Sequence, residues 1–136
     1  MGDGVTLYTG VVVAANGSVT TPAEHDYVIG GLPYTGLLIT NSIEAGSRIG
    51  TAQALKKRIS KLFISVIRSY LGLYGSSEGR MYNLTYRNFV AGTLYTGRLV
   101  QDFDSTASEE EKIVIKQDKP YPLNINAIIY QGETQE

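Results

Sequence analysis

Arg58-Ile59-Ser60-Lys61-Leu62-Phe63-Ile64-Ser65-Val66-Ile67-Arg68-Ser69-Tyr70 is the longest apolar-rich run of the chain, and it contains no Gly and no Pro. Whether it is strand or helix decides the fold. With a period of two, Leu62, Ile64 and Val66 share a face with Tyr70, and Phe63 and Ile67 lie on the other face among Lys61, Ser65 and Ser69. With a period of 3.6, Ala52, Leu55, Ile59, Leu62, Phe63, Val66, Ile67 and Tyr70 form one helical stripe. Both templates fit, so composition has to arbitrate. From Ile59 to Ile67 the residues are β-branched, aromatic or Ser, with only Lys61 and Leu62 as good helix formers. The reading adopted is a central strand from about Lys57 to Tyr70. Thr51 to Lys57 favours helix, which allows one short helical turn near 50–57. A single helix across 51–70 is the rival.

Outward from that run, the chain reads as a turn-rich, mainly β domain. Its 136 residues suit one domain able to bury a core without staples. The absence of Cys removes disulfide, thiolate and Cys-zinc chemistry. A net charge of −1 gives no global field to draw in nucleic acid or an anionic membrane. No apolar run reaches membrane-spanning length, so no membrane anchor is expected. Fifteen Gly and ten Tyr among Val, Ile and Thr runs are the composition of short strands with tight turns.

Residues 1–4 read as a flexible N-terminus. Val5 to Ala15 and Ser18 to Thr21 flank Asn16-Gly17, a strong hairpin signal because a type I′ turn needs positive φ at both positions. Asp26 to Gly31 reads as a short strand, and Pro33 holds Leu32 extended. Thr35 to Thr40 continues as strand, and Asn41 to Gly50 as loop. Gly72 to Gly79 is expected as turn or loop, Met81 to Val90 and Thr93 to Phe103 as strands, and Ser105 to Glu111 as an acidic loop. Ile113 to Ile115 is a short strand. The closing strand, Leu123 to Tyr130, has Leu123, Ile125, Ala127 and Ile129 on one face. Residues 131–136 read as a polar, flexible tail. About seven to nine short strands predict one antiparallel β-sandwich or barrel over 5–130. Its expected core holds Leu62, Ile64, Val66, Ile113, Ile115, Leu123, Ile125 and Ile129.

Several short patterns touch on chemistry. Gly75-Ser76-Ser77-Glu78-Gly79 matches the G-x-S-x-G nucleophile elbow, which needs a strand before it, a helix after it and a His to take the proton. The single His, His25, lies upstream, and a Gly/Ser turn is the plainer reading. Asp102-Phe103-Asp104-Ser105-Thr106 matches the D-x-D-x-T nucleophile motif of haloacid-dehalogenase-like phosphotransferases. That chemistry needs a doubly wound α/β core that the remaining residues do not supply. Asp102, Asp104 and Glu109 offer at most a weak cation site, and a solvated acidic loop explains them as well. His25 between Glu24 and Asp26 lacks a second strong metal ligand. Lys56, Lys57 and Arg58 form the one basic patch, suited to a phosphate or an acidic neighbour, or simply a charged rim. Asn16-Gly17-Ser18 and Asn83-Leu84-Thr85 fit a glycosylation sequon of very low specificity. No catalytic, metal or cofactor constellation assembles, so no enzyme is expected.

Several segments taken in order carry a resemblance. They are Val11-Val12-Val13 with Asn16-Gly17, Tyr27-Val28-Ile29-Gly30-Gly31-Leu32-Pro33-Tyr34, Lys56-Lys57-Arg58-Ile59, and Ile113-Val114-Ile115-Lys116-Gln117-Asp118. Lys119-Pro120-Tyr121-Pro122-Leu123 follows them, with Ile125 and Ile128-Ile129. Their order resembles the C-terminal region of tail nozzle proteins of short-tailed bacteriophages, also described as packaged-DNA stabilisation or tail tubular proteins. Nozzle proteins are several times longer, so the resemblance implies a prophage-encoded remnant or a domain of such a subunit. It implies a virion structural protein made in the bacterial cytoplasm. Its partners would be other tail subunits in a ring-forming homo-oligomer, with DNA only as passing cargo.

A ring needs two different patches per subunit. The candidate interface residues are Leu32, Pro33, Tyr34, Tyr82, Tyr86 and Tyr95, because Tyr brings contact area and a hydroxyl with little rotamer entropy. The alternative is a carbohydrate- or receptor-binding β-sandwich whose Tyr and Asn loops stack sugars. A hydrolase acting through Ser77 or Asp102 is the third reading.

Overall fold

A computed structural model describes residues 6–44, 55–88, 90 and 92–135. They contain seven strands and no helix: β1 (Gly36–Ile39), β2 (Lys56–Ser69), β3 (Leu73–Ser77), β4 (Arg80–Asn83), β5 (Tyr95–Asp102), β6 (Val114–Gln117) and β7 (Asn124–Gln135). All pairings are antiparallel. One sheet runs β1-β6-β3-β4 and the other β5-β2-β7. The sheets face each other as a sandwich and do not close into a barrel, which leaves β1, β4, β5 and β7 as edges. The β-rich composition of 59–67 thus prevailed over its helical stripe. Residues 50–54 of the expected helical turn lie outside the described residues, whereas Lys56 and Lys57 are strand.

Strand β2 is central, paired along its length with β7 and over its second half with β5. It buries Lys57, Ile59, Leu62, Ile64, Val66 and Ser69. The spacing of three between Ile59 and Leu62 comes from a bulge. Ile59 pairs with Gly132 and Lys61 with Gln131, so Ser60 is an extra residue. A bulged residue shifts the alternation by one and turns both flanking apolar residues inward. A second irregularity lies between Val66 and Ser69, where Arg68 takes φ 44° and its amide donates to Thr96 Oγ1 at 2.9 Å. Across the sandwich, Tyr74 and Ile115 meet the β2 row. Leu99, Phe103, Ile113, Leu84, Tyr86 and Ile43 complete the core. Each such aliphatic side chain taken fully from water contributes about 1.5–3 kcal/mol.

The structure revises the sequence reading in several places. Of the expected turn or loop at 72–79, residues 73–77 are strand β3 and residues 78–79 are the turn of the β3–β4 hairpin. Strand β4 ends at Asn83, short of Val90, because Thr85 finds another partner. Its amide and carbonyl bond the side-chain amide of buried Gln101, at 3.1 and 2.7 Å. The run 131–135, expected as a flexible tail, is the second half of β7 and pairs with Lys56 to Lys61.

Residues 105–111 are a loop, as expected, with Thr106, Glu109 and Glu110 exposed, but its two ends are anchored. They run beside β2, where Lys57 and Ser108 exchange backbone hydrogen bonds, and Ser105 Oγ accepts from the Ile59 amide at 3.0 Å. Ser105 and Glu111 are buried. Residues 6–35 form no regular strand. The Asn16-Gly17 turn exists, with Gly17 N donating to Ala14 O and Ala14 N to Ser18 O, but no ladder extends from it.

Candidate assembly surfaces

Alternation in β2 sends Lys61, Phe63, Ser65 and Ile67 to the outer face of the three-stranded sheet. Phe63 stands opposite Val100 of β5 and Ile129 of β7, giving an apolar row three strands wide. Lys61, opposite Asp102 and Gln131, borders it on one side, and Ser65, opposite Arg98 and Ala127, on the other. Val100 and Ile129 are more than half exposed. Ile129 was expected in the core. It faces out because Ser65 pairs with Ala127 while Val66 pairs with Ile125, which makes Asn126 an extra residue of β7. Ile128 packs against the core in its place. The adjacent apolar pair Ile128-Ile129, which cannot share one face of a strand, was the sequence signal for this outer row.

The second apolar surface is the segment 6–35 leading into β1. Its Val12 is 82% exposed, Leu32 91% and Tyr34 62%, and Val11, Val13, Val19, Tyr27 and Val28 are exposed as well. Its internal contacts include the Asn16-Gly17 turn, bridge positions at Thr6 and Val28, and Tyr8 Oη lying 2.8 Å from His25 Nε2, with the two rings stacked obliquely. His25 is therefore part of the segment's own packing.

The six candidate interface residues do not form one face. Leu32, Pro33 and Tyr34 precede β1, and Tyr82 is on β4, at the opposite edge of the four-stranded sheet. Tyr82 is 42% exposed. Tyr86 is buried, its hydroxyl donating to Leu71 O at 3.1 Å, and burial pushes its pKa up to about 12. Tyr95 is half-buried and packs edge-on against Tyr86. Tyr86 lies beyond the end of β4, and Tyr95 opens β5.

The basic patch also divides. Lys57 turns inward and its Nζ donates to the Glu109 carbonyl at 2.9 Å, while Lys56 and Arg58 stay exposed. Glu111 is buried with Oε1 lacking a hydrogen-bond partner. Desolvation pushes its carboxyl pKa up, partly offset by a hydrogen bond with Ser105.

Residues of both sheets, namely Arg58, Tyr74, Tyr82, Asp102, Phe103 and Asp104, line an open groove of about 360 Å³. Tyr74 donates to Asp102 O at 2.8 Å, and burial, then the Asp102 charge, raises its hydroxyl pKa. Arg80 pairs with Asp104 at 3.0 Å. Among the described residues no three His, Asp or Glu side chains gather to hold a metal, so Asp102, Asp104 and Glu109 are not brought together as ligands. Ser77 lies at a hairpin rather than between strand and helix, and His25 is held in the N-terminal segment, so the elbow geometry is not formed. Comparison with models of known protein families gives no match, and neither does comparison with curated proteins.

Proposed function

We propose that this chain is a non-enzymatic structural subunit, a tail nozzle or packaged-DNA stabilisation component of a short-tailed phage particle, which acts by assembly. The observation that carries this reading is the presence of two separate uncovered apolar surfaces, residues 6–35 and the Val100–Phe63–Ile129 row. A ring subunit needs two unlike patches. Contiguous apolar exposure beyond a few hundred Å² marks a protein-contacting surface. The sequence resemblance supplies the phage context, and the near-neutral charge suits a channel wall that does not grip DNA.

Sedimentation over a hundredfold concentration range at low and high salt tests it. Association should rise with concentration and persist at high salt, since apolar contacts are not screened. Salt-labile association would make exposed Lys56 and Arg58 the driver instead.

The groove favours a second reading, a carbohydrate-binding module. Half-exposed Tyr82 offers a stacking face beside the Arg58, Asp102 and Asp104 polar groups. A strict monomer with saturable glycan binding that Tyr82→Ala abolishes would favour this reading over assembly.

A further inference from the structure

We infer that residues 6–35 are an exchange arm that seats on a second copy of this chain, adding one extended part along the outer edge of β7 and laying its remaining apolar residues over the Val100–Phe63–Ile129 row. This rests on the assembly reading and names its partner and contact. Three observations meet in it.

The first is the arm itself. It carries the β-branched runs Val11-Val12-Val13 and Val19-Thr20-Thr21 with Tyr27-Val28, yet among the described residues it forms only single bridges, at Thr6 and Val28, and no strand. Such residues gain their stability on a pleated, half-covered surface, and here they are exposed.

The second is β7. It is twelve residues long and, among the described residues, pairs with β2 on one side only, with Tyr130 Oη donating to the Glu44 carbonyl. A long unpaired edge presents a row of backbone donors and acceptors that a further extended segment completes. No Pro interrupts β7, and Gly132 is its only glycine.

The third is the outer row. Ile129 of the edge strand, Phe63 and Val100 lie side by side across the sheet. A segment added at the β7 edge would place alternate side chains beside Ile129, so the apolar row would gain a fourth member. The arm's exposed apolar residues, Val12, Leu32 and Tyr34 foremost, are the kind of surface an interface of about 800 Å² per partner draws on. Up to about 100 Å of reach in a thirty-residue extended segment lets it span to a neighbour. A net charge of −1 leaves little repulsion between copies. The contact is heterologous, arm to edge, so each copy both gives and receives.

The test uses two full-length variants. One carries Val12→Asp with Leu32→Asp, which spoils the arm and leaves the face. The other carries Val100→Lys with Ile129→Lys, which spoils the face and leaves the arm. All four positions are exposed, and circular dichroism with thermal melting confirms that each variant folds as the parent does. The parent should associate with rising concentration, and each variant alone should associate at least tenfold more weakly. Mixed one to one, the variants should form a heterodimer, because the face-altered chain donates an intact arm to the arm-altered chain. Two folded variants that fail alone and also fail together would overturn arm-to-face docking. Variants that associate like the parent would overturn the arm proposal and leave assembly standing. A parent that stays monomeric throughout would overturn both.

Discussion

Ile128 of β7 lies opposite Ile64 of β2, whereas Ile129, the next residue, lies opposite Phe63 on the other face of the sheet. The bulge at Asn126 sets this choice. Two residues of β7 advance against one of β2 between Ala127 and Ile125, so both Ile125 and Ile128 turn toward the core. A strand without the bulge would bury Ile125, Ala127 and Ile129 and leave Ile128 outside.

The two isoleucines should therefore respond differently to truncation. Ile128→Ala should cost about 2 kcal/mol, toward the low end for a buried isoleucine because it is only partly covered. Ile129→Ala, at an exposed site, should cost under about 0.5 kcal/mol in the unassembled chain. Urea melts of both variants at low protein concentration read the difference. A reversed order would mean that β7 pairs in the unbulged register.

Ile64 is fully buried at the middle of β2, with Leu99 on one side and Ile128 on the other. Ile64→Ala should destabilise the chain by about 2–5 kcal/mol, through lost transfer energy plus the cavity left among rigid neighbours. A loss below about 0.5 kcal/mol in equilibrium unfolding would contradict the central position of β2.

Gly75 sits on β3 where the register against β4 shifts between Gly75 and Ser77. A Cβ there would collide with the backbone carbonyl oxygen of Arg80. Backbone cannot rotate aside as a side chain can, so Gly75→Ala has to pry the hairpin apart. It should cost about 1–3 kcal/mol. Gly79, with open space around its Cβ position, should accept Ala with little change. Thermal melts of the pair check this contrast.

Glu111 should make the chain more stable in mild acid than at neutral pH, so far as this residue contributes. Burial raises its folded-state pKa above the ordinary 4.5. Between those two values the folded chain binds more protons than the unfolded chain, so stability rises as pH falls through that window and is flat above it. Glu111→Gln should raise stability at neutral pH by on the order of 1 kcal/mol, because a buried ion with an unmet acceptor is replaced by a neutral amide. It should also flatten the pH profile above 4.5. Unfolding at a series of pH values measures both effects, and an unchanged profile would show that the parent's dependence comes from other carboxylates.

The sequence by itself determined that the chain is β. The β-branched and aromatic content of 59–67 overcame a helical stripe that fitted equally well, because packing between two sheets rewards branched side chains on both sides of β2. The structure splits that stripe between two faces. The bulges at Ser60 and near Arg68 space the inward residues Ile59, Leu62, Ile64, Val66 and Ser69 at intervals of two and three, so only Ile59, Leu62 and Val66 of the stripe face the core while Phe63 and Ile67 face outward. Part of the core was legible too, since Leu62, Ile64, Val66, Ile113 and Ile115 are buried as expected, whereas Ile59, Tyr74, Leu99 and Phe103 were not foreseen.

Tertiary structure alone decided the phase of each strand and therefore which surface is free. One inserted residue reverses every side chain beyond it, and no local pattern marked Ser60 or Asn126 as that residue. Tyr86 went inside because the Gln101 side chain captured the Thr85 backbone, and Lys57 went inside because residues 105–108 run along β2. Leu32 and Tyr34 are exposed, as the sequence reading of an extended Leu32-Pro33-Tyr34 surface segment expected. The Val100–Phe63–Ile129 row was not, because it joins residues about thirty positions apart whose adjacency exists only once β5 and β7 have paired with β2.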